Sequence, residues 1–454
     1  MTLDIRTLEL LRESLAHLDA GFAHLPTFDA TPNDQEIRSM RGVLKEVAER
    51  LRDNYPYAHP FYAGQMLKPP HPVARLAYAL AQHVNPNNHA LDGGRASSAM
   101  EKECVAQLAR MVGWTEHLGH LTGGGTIANL EALWVAERTR PGGVIVASAQ
   151  AHYTHSRMCD VLGLAFEALP TDRHGRLSVS ALEERLERGG VGTVVVTLGT
   201  TATGSVDPLR DVLRLHGKYS FRTHVDAAYG GYFGLADNLG SDARAAFDVM
   251  AEADSIAIDP HKHGLQPYGT GCVLFRDTAV GAYYKHDSPY TYFSSAELHL
   301  GEISLECSRP GAAAVALWAT QRLLPLERGG KFARGLADCR GAALELFARL
   351  EKDSRVRTAF SPELDIVIWA PRAETASATS SRSRAIFEAA ARSNLHLAVA
   401  NLPRGLLESW WPDLTWDREH VTVLRSCLIK AEHRAWLPAI WAVLDPVLNT
   451  HTDR

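Results

Sequence analysis

A lysine in a glycine- and proline-rich turn between two apolar, strand-like runs is a residue able to do covalent chemistry. It is Lys262, in DSIAIDPHKHGLQPYGTGCVLF, where Ser255–Ile258 and Cys272–Phe275 bracket Pro260, His261, Lys262 and His263. A buried amine is costly to keep as a cation, so its pKa falls and the free base can attack a carbonyl. A surface turn whose lysine points to water fits the same residues. Upstream, THVDAAYGGY places Asp226 at the close of a strand over Phe221–Val225, followed by small residues such as Ala228 against which a flat ring can lie. A strand-end turn aspartate is the plain alternative. A carboxylate followed by a lysine is what pyridoxal phosphate requires: an acid that keeps its pyridine nitrogen protonated and an amine that holds its aldehyde. The third piece is Gly123-Gly124-Gly125-Thr126, which opens the helical run TIANLEALWVAERT, with Ile127, Leu130 and Trp134 at helical spacing. Glycine-exposed amides at a helix N-terminus face an anion such as a phosphate. The triplet lacks the lysine of a Walker loop and does not fit a dinucleotide G-x-G-x-x-G.

Two further residues follow from strand parity. In VTVLRSCLI, Arg425 shares a face with Val421, Val423, Cys427 and Ile429, so its guanidinium needs an anion to offset desolvation. That anion is either a substrate or an Asp or Glu of the chain itself. His224 leaves the same strand face as Asp226, two residues on.

Taken together, HVDAAYGG around Asp226, DPHK ending at Lys262, GGGTIANL from Gly123, AHYTHS around His152, GTTATGSVDP from Gly199 and HPFYAGQM from His59 resemble the group II decarboxylases that depend on pyridoxal phosphate. These are relatives of the aromatic-amino-acid and glutamate decarboxylases, and the resemblance spans roughly residues 55 to 430. It implies an α/β, aspartate-aminotransferase-like (fold type I) protein: a large domain on a mostly parallel sheet and a small C-terminal α+β domain. It implies that Lys262 anchors the cofactor and Asp226 pairs with its ring nitrogen. Gly124, Gly125 and Thr126 would hold the phosphate, joined by His261, with His152 stacked on the ring and Thr201 (or Thr200) beside it. His155 reads as an ordinary satisfied histidine. Arg425 would bind the substrate carboxylate, and Gln65 and Met66 belong to the family's N-terminal pocket segment. Related enzymes use a loop tyrosine, reaching across a dimer, to return a proton to the substrate carbon. Tyr290 fills that role here, with Tyr292 the alternative and a plain pocket-wall aromatic the third reading.

The expected reaction is α-decarboxylation of an L-amino acid, the aromatic Tyr290, Tyr292, Phe293 and Tyr62 favouring an aromatic side chain. Gln65 or Lys68 would instead suit an acidic or diamino acid. An aldehyde synthase or carbon–carbon lyase of the same fold, and a non-catalytic phosphate-binding protein, are the rivals from other classes.

The elements that must position these residues read as follows. The 454 residues allow two or three domains, divided here as 1–58 (helical, Leu8, Leu11, Leu15 and Leu18 on one face), 59–322 (cofactor-binding) and 323–454 (small domain). The first segment either clasps a partner subunit, giving a homodimer with active sites at the interface, or packs on its own domain. Strands are expected at Val144–Ser148, Thr193–Leu198 and Phe221–Val225, alternating with helices as in a parallel sheet. Strands at Leu364–Trp369 and Val421–Ile429, a helix over Arg384–Ser393 and another over Ala431–Leu444 make the small domain. The low-complexity RAETASATSSRSR, Arg372–Arg384, reads as exposed. Arg276–Arg309 is long and irregular, as functional loops are.

Composition excludes several classes. A net charge of −5 without a basic block argues against nucleic acid as a partner. No apolar run approaches the ~18 residues of a membrane span, and MTLDIRTLELLRESL lacks a secretion signal's apolar core. Six scattered cysteines without a C-x-x-C pair suit reduced thiols in the cytoplasm, and no metal is expected.

Overall fold

The computed structural model describes residues 5–28, 31–285 and 298–452. Its centre is a seven-stranded sheet: β1 (Leu118–Thr122), β2 (Val144–Ser148), β3 (Phe166–Leu169), β4 (Val191–Thr197), β5 (Arg222–Asp226), β6 (Ser255–Ile258) and β7 (Gly271–Phe275). The strand order is β1-β7-β6-β5-β4-β2-β3. β3, β2, β4, β5 and β6 run parallel, and β7 is antiparallel to both β6 and β1. Every residue of β4 to β7 is buried. Strands covered on both faces favour continuous apolar runs, as in β6 and β7, whereas β5 buries Arg222, Thr223, His224 and Asp226.

The sheet direction decides where chemistry can sit. β1 and the five parallel strands all point the same way, so the segments after β1, β2, β4, β5 and β6 emerge along one rim. In open α/β sheets that carboxyl-terminal rim is where ligands bind. The glycine triplet, His152, Thr201, Asp226 and Lys262 lie at or just past those five strand ends.

A second, antiparallel sheet of four strands is ordered β10-β11-β9-β8, from β8 (Val356–Thr358), β9 (Ile366–Pro371), β10 (Ala398–Pro403) and β11 (His420–Cys427). Here the low-complexity reading fails. Ala376–Arg392 is one helix, capped by Thr375, whose side chain accepts from the Ala378 N–H. Ala376, Thr379, Ser380 and Ser383 are buried, and Ser380 Oγ accepts the Thr422 N–H at 2.9 Å. Small residues three and four apart form a smooth helix face that lies close on β11, whereas composition alone made them look exposed. The last helix runs from His433 to Thr452, passing Pro438 and Pro446 rather than stopping at Leu444.

The N-terminal segment forms two helices, Ile5–Ala20 and Asp34–Leu51, and neither contains a buried residue. Leu8 is exposed and Leu11, Leu15 and Leu18 are half-buried. Met40, Val43, Leu44 and Val47 of the second helix are all exposed. No helix among the described residues is long and apolar enough to cross a membrane.

One buried ion pair fixes the strand end that leads into the glycine triplet. Arg309 Nη1 lies 2.9 Å from Glu101 Oε1 and 2.5 Å from the Leu121 carbonyl oxygen. Glu101 in turn accepts the Leu121 N–H at 3.0 Å and the Asn88 side-chain amide at 2.6 Å. Removing one member leaves a buried charge uncompensated, which costs about 3–5 kcal/mol. Arg309→Met is therefore expected to lower unfolding free energy by about 3 kcal/mol or more in urea titrations. A change within error would show that the pair does not hold this strand end.

Candidate active site

The five loops at the strand ends enclose a cavity of about 360 Å³. Gly124, Gly125 and Thr126 form one wall and Asp259, His261 and Lys262 another. His152, Thr201, Asp226 and Ala228 also line it. Tyr290 and Tyr292 lie outside the described residues.

The glycine wall is dictated by contact. Gly124 adopts φ +146°, where side chains are strained, and a Cβ on Gly125 would come within 2.7 Å of Asp259 Oδ2. The helix Gly125–Thr139 has no side-chain N-cap, so its first amides are left for an occupant of the cavity. Its position is set from behind by a hydrogen-bonded chain. Asn129 Nδ2 donates to the Gly125 carbonyl at 2.8 Å, and Asn129 Oδ1 lies 2.7 Å from His224 Nε2. His224 Nδ1 is 2.9 Å from Ser255 Oγ. Burial and the neighbouring His155 push His224 down to about 3, so it is neutral. Its Nε2–H donates to Asn129 and its Nδ1 accepts from Ser255, an assignment read from the network. His224 thus ties β5 and β6 to the helix that opens the glycine wall.

Asp226 forms the polar floor. His155 Nε2–H donates to its Oδ2 at 2.9 Å, and the Ala228 N–H donates to its Oδ1 at 3.1 Å. Burial alone would raise its pKa. The hydrogen bond and charge of His155, then the charge of Lys262 and the Ala228 amide, outweigh it and hold the carboxyl well below its ordinary range. His155, which the sequence left as an ordinary satisfied histidine, is therefore the direct partner of Asp226. The signal was available in AHYTHS: His152 and His155 are three apart at a helix start, so both face the strand ends.

Lys262 is not in an apolar cage, contrary to the reasoning from its turn. Its Nζ sits 2.9 Å from Asp259 Oδ2. Asp259 is a second residue that the sequence reading missed, although it is the first letter of DPHK. His261 Nδ1–H donates to the Thr270 carbonyl at 2.8 Å, and its ring lies 4.6 Å from that of Tyr268. Of the two threonines after β4, Thr201 lines the cavity, whereas Thr200 is buried and bonded to Thr203 at 2.8 Å. His152 is half-buried, its Nδ1 accepts the Thr154 N–H, and burial lowers its pKa, so its ring is neutral.

Arg425, Gln65 and Met66 do not line this cavity. Arg425 is 4% exposed, and its Nη1 donates to Gln65 Oε1 at 3.2 Å. Among the described residues no carboxylate pairs with it, and its Nε and Nη2 have no partner. The internal ion pair considered from the sequence is not present there. Met66 connects to the cavity indirectly: its carbonyl accepts the Tyr268 hydroxyl at 3.3 Å.

The cavity is built for a polar occupant with an anionic end. Three buried oxygens on its lining residues, Thr154 Oγ1, Thr197 Oγ1 and Asp259 Oδ1, have no hydrogen-bond partner among the described residues. Buried polar atoms are otherwise almost always paired. A helix N-terminus at one wall, an ionised carboxylate at the floor and an amine at the other wall fit the phosphate, ring nitrogen and aldehyde of pyridoxal phosphate.

Fold and site together define a pyridoxal-phosphate class of the aspartate-aminotransferase-like, fold type I architecture. The pyridoxal-dependent decarboxylase conserved domain matches residues 58–370, and the chain belongs to that family. It is 27% identical over 411 residues to an L-tyrosine decarboxylase of Enterococcus faecium, covering 68% of this chain and 66% of that protein. A probable L-tyrosine/L-aspartate decarboxylase of Methanococcus maripaludis is 27% identical over 339 residues, covering 72% of this chain and 84% of that one. The chain thus spans just under two thirds of the length of the Enterococcus relative. Among solved structures, Oryza sativa TDC with PLP and tryptamine superposes with a TM-score of 0.79 at 17% identity, over all of both chains. Mouse CSAD in apo form gives 0.78 at 18% identity, over 99% of this chain and all of that one. These likenesses establish the fold.

His155→Leu removes the donor to Asp226 while keeping the volume filled. A hydrogen bond to a charged group contributes about 1.5–3 kcal/mol, so binding of pyridoxal phosphate is expected to weaken about tenfold or more. Absorbance titration of the apoprotein measures it, and an unchanged Kd would remove His155 from the site.

Proposed function

We propose that this protein removes the α-carboxylate of an L-amino acid as carbon dioxide, with L-tyrosine or another aromatic amino acid as substrate. The observation that carries the reading is the meeting, in one cavity, of Lys262, an ionised Asp226 and the open N-terminus of the Gly125–Thr139 helix.

When bound, pyridoxal phosphate supplies an electron-accepting ring that takes up the electron pair left at Cα as the carboxylate departs. The chain's own residues do the rest. The amides of Gly124 and Gly125 and the Thr126 hydroxyl bind the phosphate, with Thr201 and His261 alongside. Each Asp226 oxygen accepts one hydrogen bond in the structure and keeps a second lone pair, so the carboxylate can also accept from the ring nitrogen and hold a proton there. Ala228, small and on the cavity lining, would leave room for the ring, and the neutral His152 would stand against it. Asp259 positions the Lys262 side chain, which would be the covalent anchor for the cofactor. Arg425 and Gln65 receive the substrate carboxylate side, for which the two unpartnered guanidinium nitrogens of Arg425 speak. The neighbouring aromatic group supports an aromatic side chain: Tyr62 lies 5.0 Å from Tyr57 and 6.1 Å from His396, and its hydroxyl accepts the Gln65 N–H. We assign the proton returned to Cα to Tyr290.

A homodimer completes the reading. Two N-terminal helices without a buried residue, one with six exposed large apolar side chains on its length, suit burial against a second subunit. A cytoplasmic location follows from the reduced-thiol composition.

The test is to incubate the cofactor-loaded protein with L-tyrosine, L-tryptophan, L-aspartate, L-glutamate and L-2,4-diaminobutyrate, and to quantify carbon dioxide, amines and aldehydes by mass spectrometry. Carbon dioxide and amine from an aromatic substrate, abolished by Lys262→Ala, are expected. Asp226→Asn is expected to retain the cofactor and lose about 10²-fold or more in kcat, as loss of a positioned acid does. Turnover of only the acidic or diamino acids would reassign the substrate. Aldehyde in place of amine would make the protein an aldehyde synthase, and unchanged activity in Lys262→Ala would overturn the site itself.

A further inference from the structure

Lys262 lines the cofactor cavity, and the next residue, His263, lines a different one. This second cavity, of about 290 Å³, lies between the 68–72 segment, the start of the Lys331–Glu351 helix and the Lys430–Glu432 turn that follows β11. Its size is at the lower end for small-molecule sites. Lys68, Lys331 and Lys430 line it with His71 and His263, against one carboxylate, Glu432.

The lysines are not neutralised by the chain. Among the described residues the lysines in ion pairs are Lys45, Lys218 and Lys262, and none of these lines the cavity. Lys430 is the most constrained, at 1% exposure. Its Nζ makes one hydrogen bond, to the Tyr62 carbonyl at 2.6 Å, and an ammonium has three N–H groups. Burial, then the charge of Lys68, push its pKa down to about 8, against the smaller opposing pull of Glu432. His263 is fully buried; its Nε2 lies 3.3 Å from Asp365 Oδ2, and its Nδ1 has no hydrogen-bond partner among the described residues. The 21-residue helix beginning at Lys331 has Gly330 as N-cap and no side-chain cap, so its open amides add to the positive field. Leu265, Leu324 and Phe332 supply the remaining wall as apolar surface.

We propose that this cavity is a second ligand site, which takes a small organic anion: a carboxylate held by the three lysines, on a short hydrocarbon body packed against Leu265, Leu324 and Phe332. A bare inorganic anion would leave the apolar wall unused, and a neutral ligand would leave three lysines facing one cavity with Glu432 as the one carboxylate on its lining. The assignment rests on this cavity alone and not on the reaction at Lys262.

Isothermal titration of the cofactor-loaded protein tests it, with isovalerate, the neutral isovaleramide and inorganic phosphate as probes. Saturable binding of isovalerate is expected, with isovaleramide and phosphate each weaker by about tenfold or more, and weakening of the same order in Lys331→Ala and Lys68→Ala. Both variants alter partly exposed side chains outside the cofactor cavity, so they are expected to fold and to keep cofactor absorbance. No saturable binding of isovalerate overturns the proposal. So does binding that both variants leave unchanged, since the anion would then sit elsewhere, and so does phosphate binding as tightly as isovalerate.

Discussion

The constraint on which the site depends is a negative charge kept where water is excluded. Asp226 is 5% exposed at the end of a fully buried strand, a position that by itself favours the neutral acid. His155 and the Ala228 amide reverse that preference, and the geometry that lets them do so is costly to assemble. β5 must end where the Gly125–Thr139 helix begins, and the loop after β2 must return over it. The His224–Asn129 chain and the Glu101–Arg309 pair are the two ties that hold these segments in register, and neither touches the cavity's centre. Much of the buried polar chemistry in this half of the molecule is thus directed at keeping one carboxylate ionised beside a helix N-terminus.

The two carboxylates of the site have different tasks. Asp226 is fixed by donors from the backbone and from a histidine, which hold its carboxyl well below the usual carboxylate range. Asp259 accepts from a flexible lysine and keeps one oxygen without a partner, so its pairing can be exchanged. A lysine held by an ion pair that it can leave is as serviceable an anchor as one kept neutral by an apolar cage, and the structure has the former.

Much of this was legible in the sequence because it is local. β2, β4 and β6 are largely apolar runs, and Val144–Ser148 and Ser255–Ile258 were read with their observed ends. Asp226 and Lys262 were each read just past a strand, where α/β sheets bind ligands, whereas β1, LGHLT before the glycine triplet, carries too weak an apolar pattern to have been read. What was not legible depends on contacts across the fold. The spacing in AHYTHS placed His155 on the side of the strand ends, but its pairing with Asp226, and that of Asp259 with Lys262, are contacts that only the fold shows. Ala376–Arg392 failed for a related reason: alanine, serine and threonine at helical spacing look featureless until a strand is seen lying against them. Arg425 was placed by parity on its strand, and only the structure shows that its neighbour is an amide rather than a carboxylate.

Reduction of the cofactor-loaded protein with borohydride, followed by peptide mapping, tests the central claim most directly, because it asks which residue holds the cofactor before any substrate is chosen. The account predicts one pyridoxyl group per chain, on Lys262, and a marked loss of labelling when His155 or Asp226 is replaced by an apolar residue. Labelling of a different lysine, or labelling of Lys262 indifferent to both replacements, would contradict it.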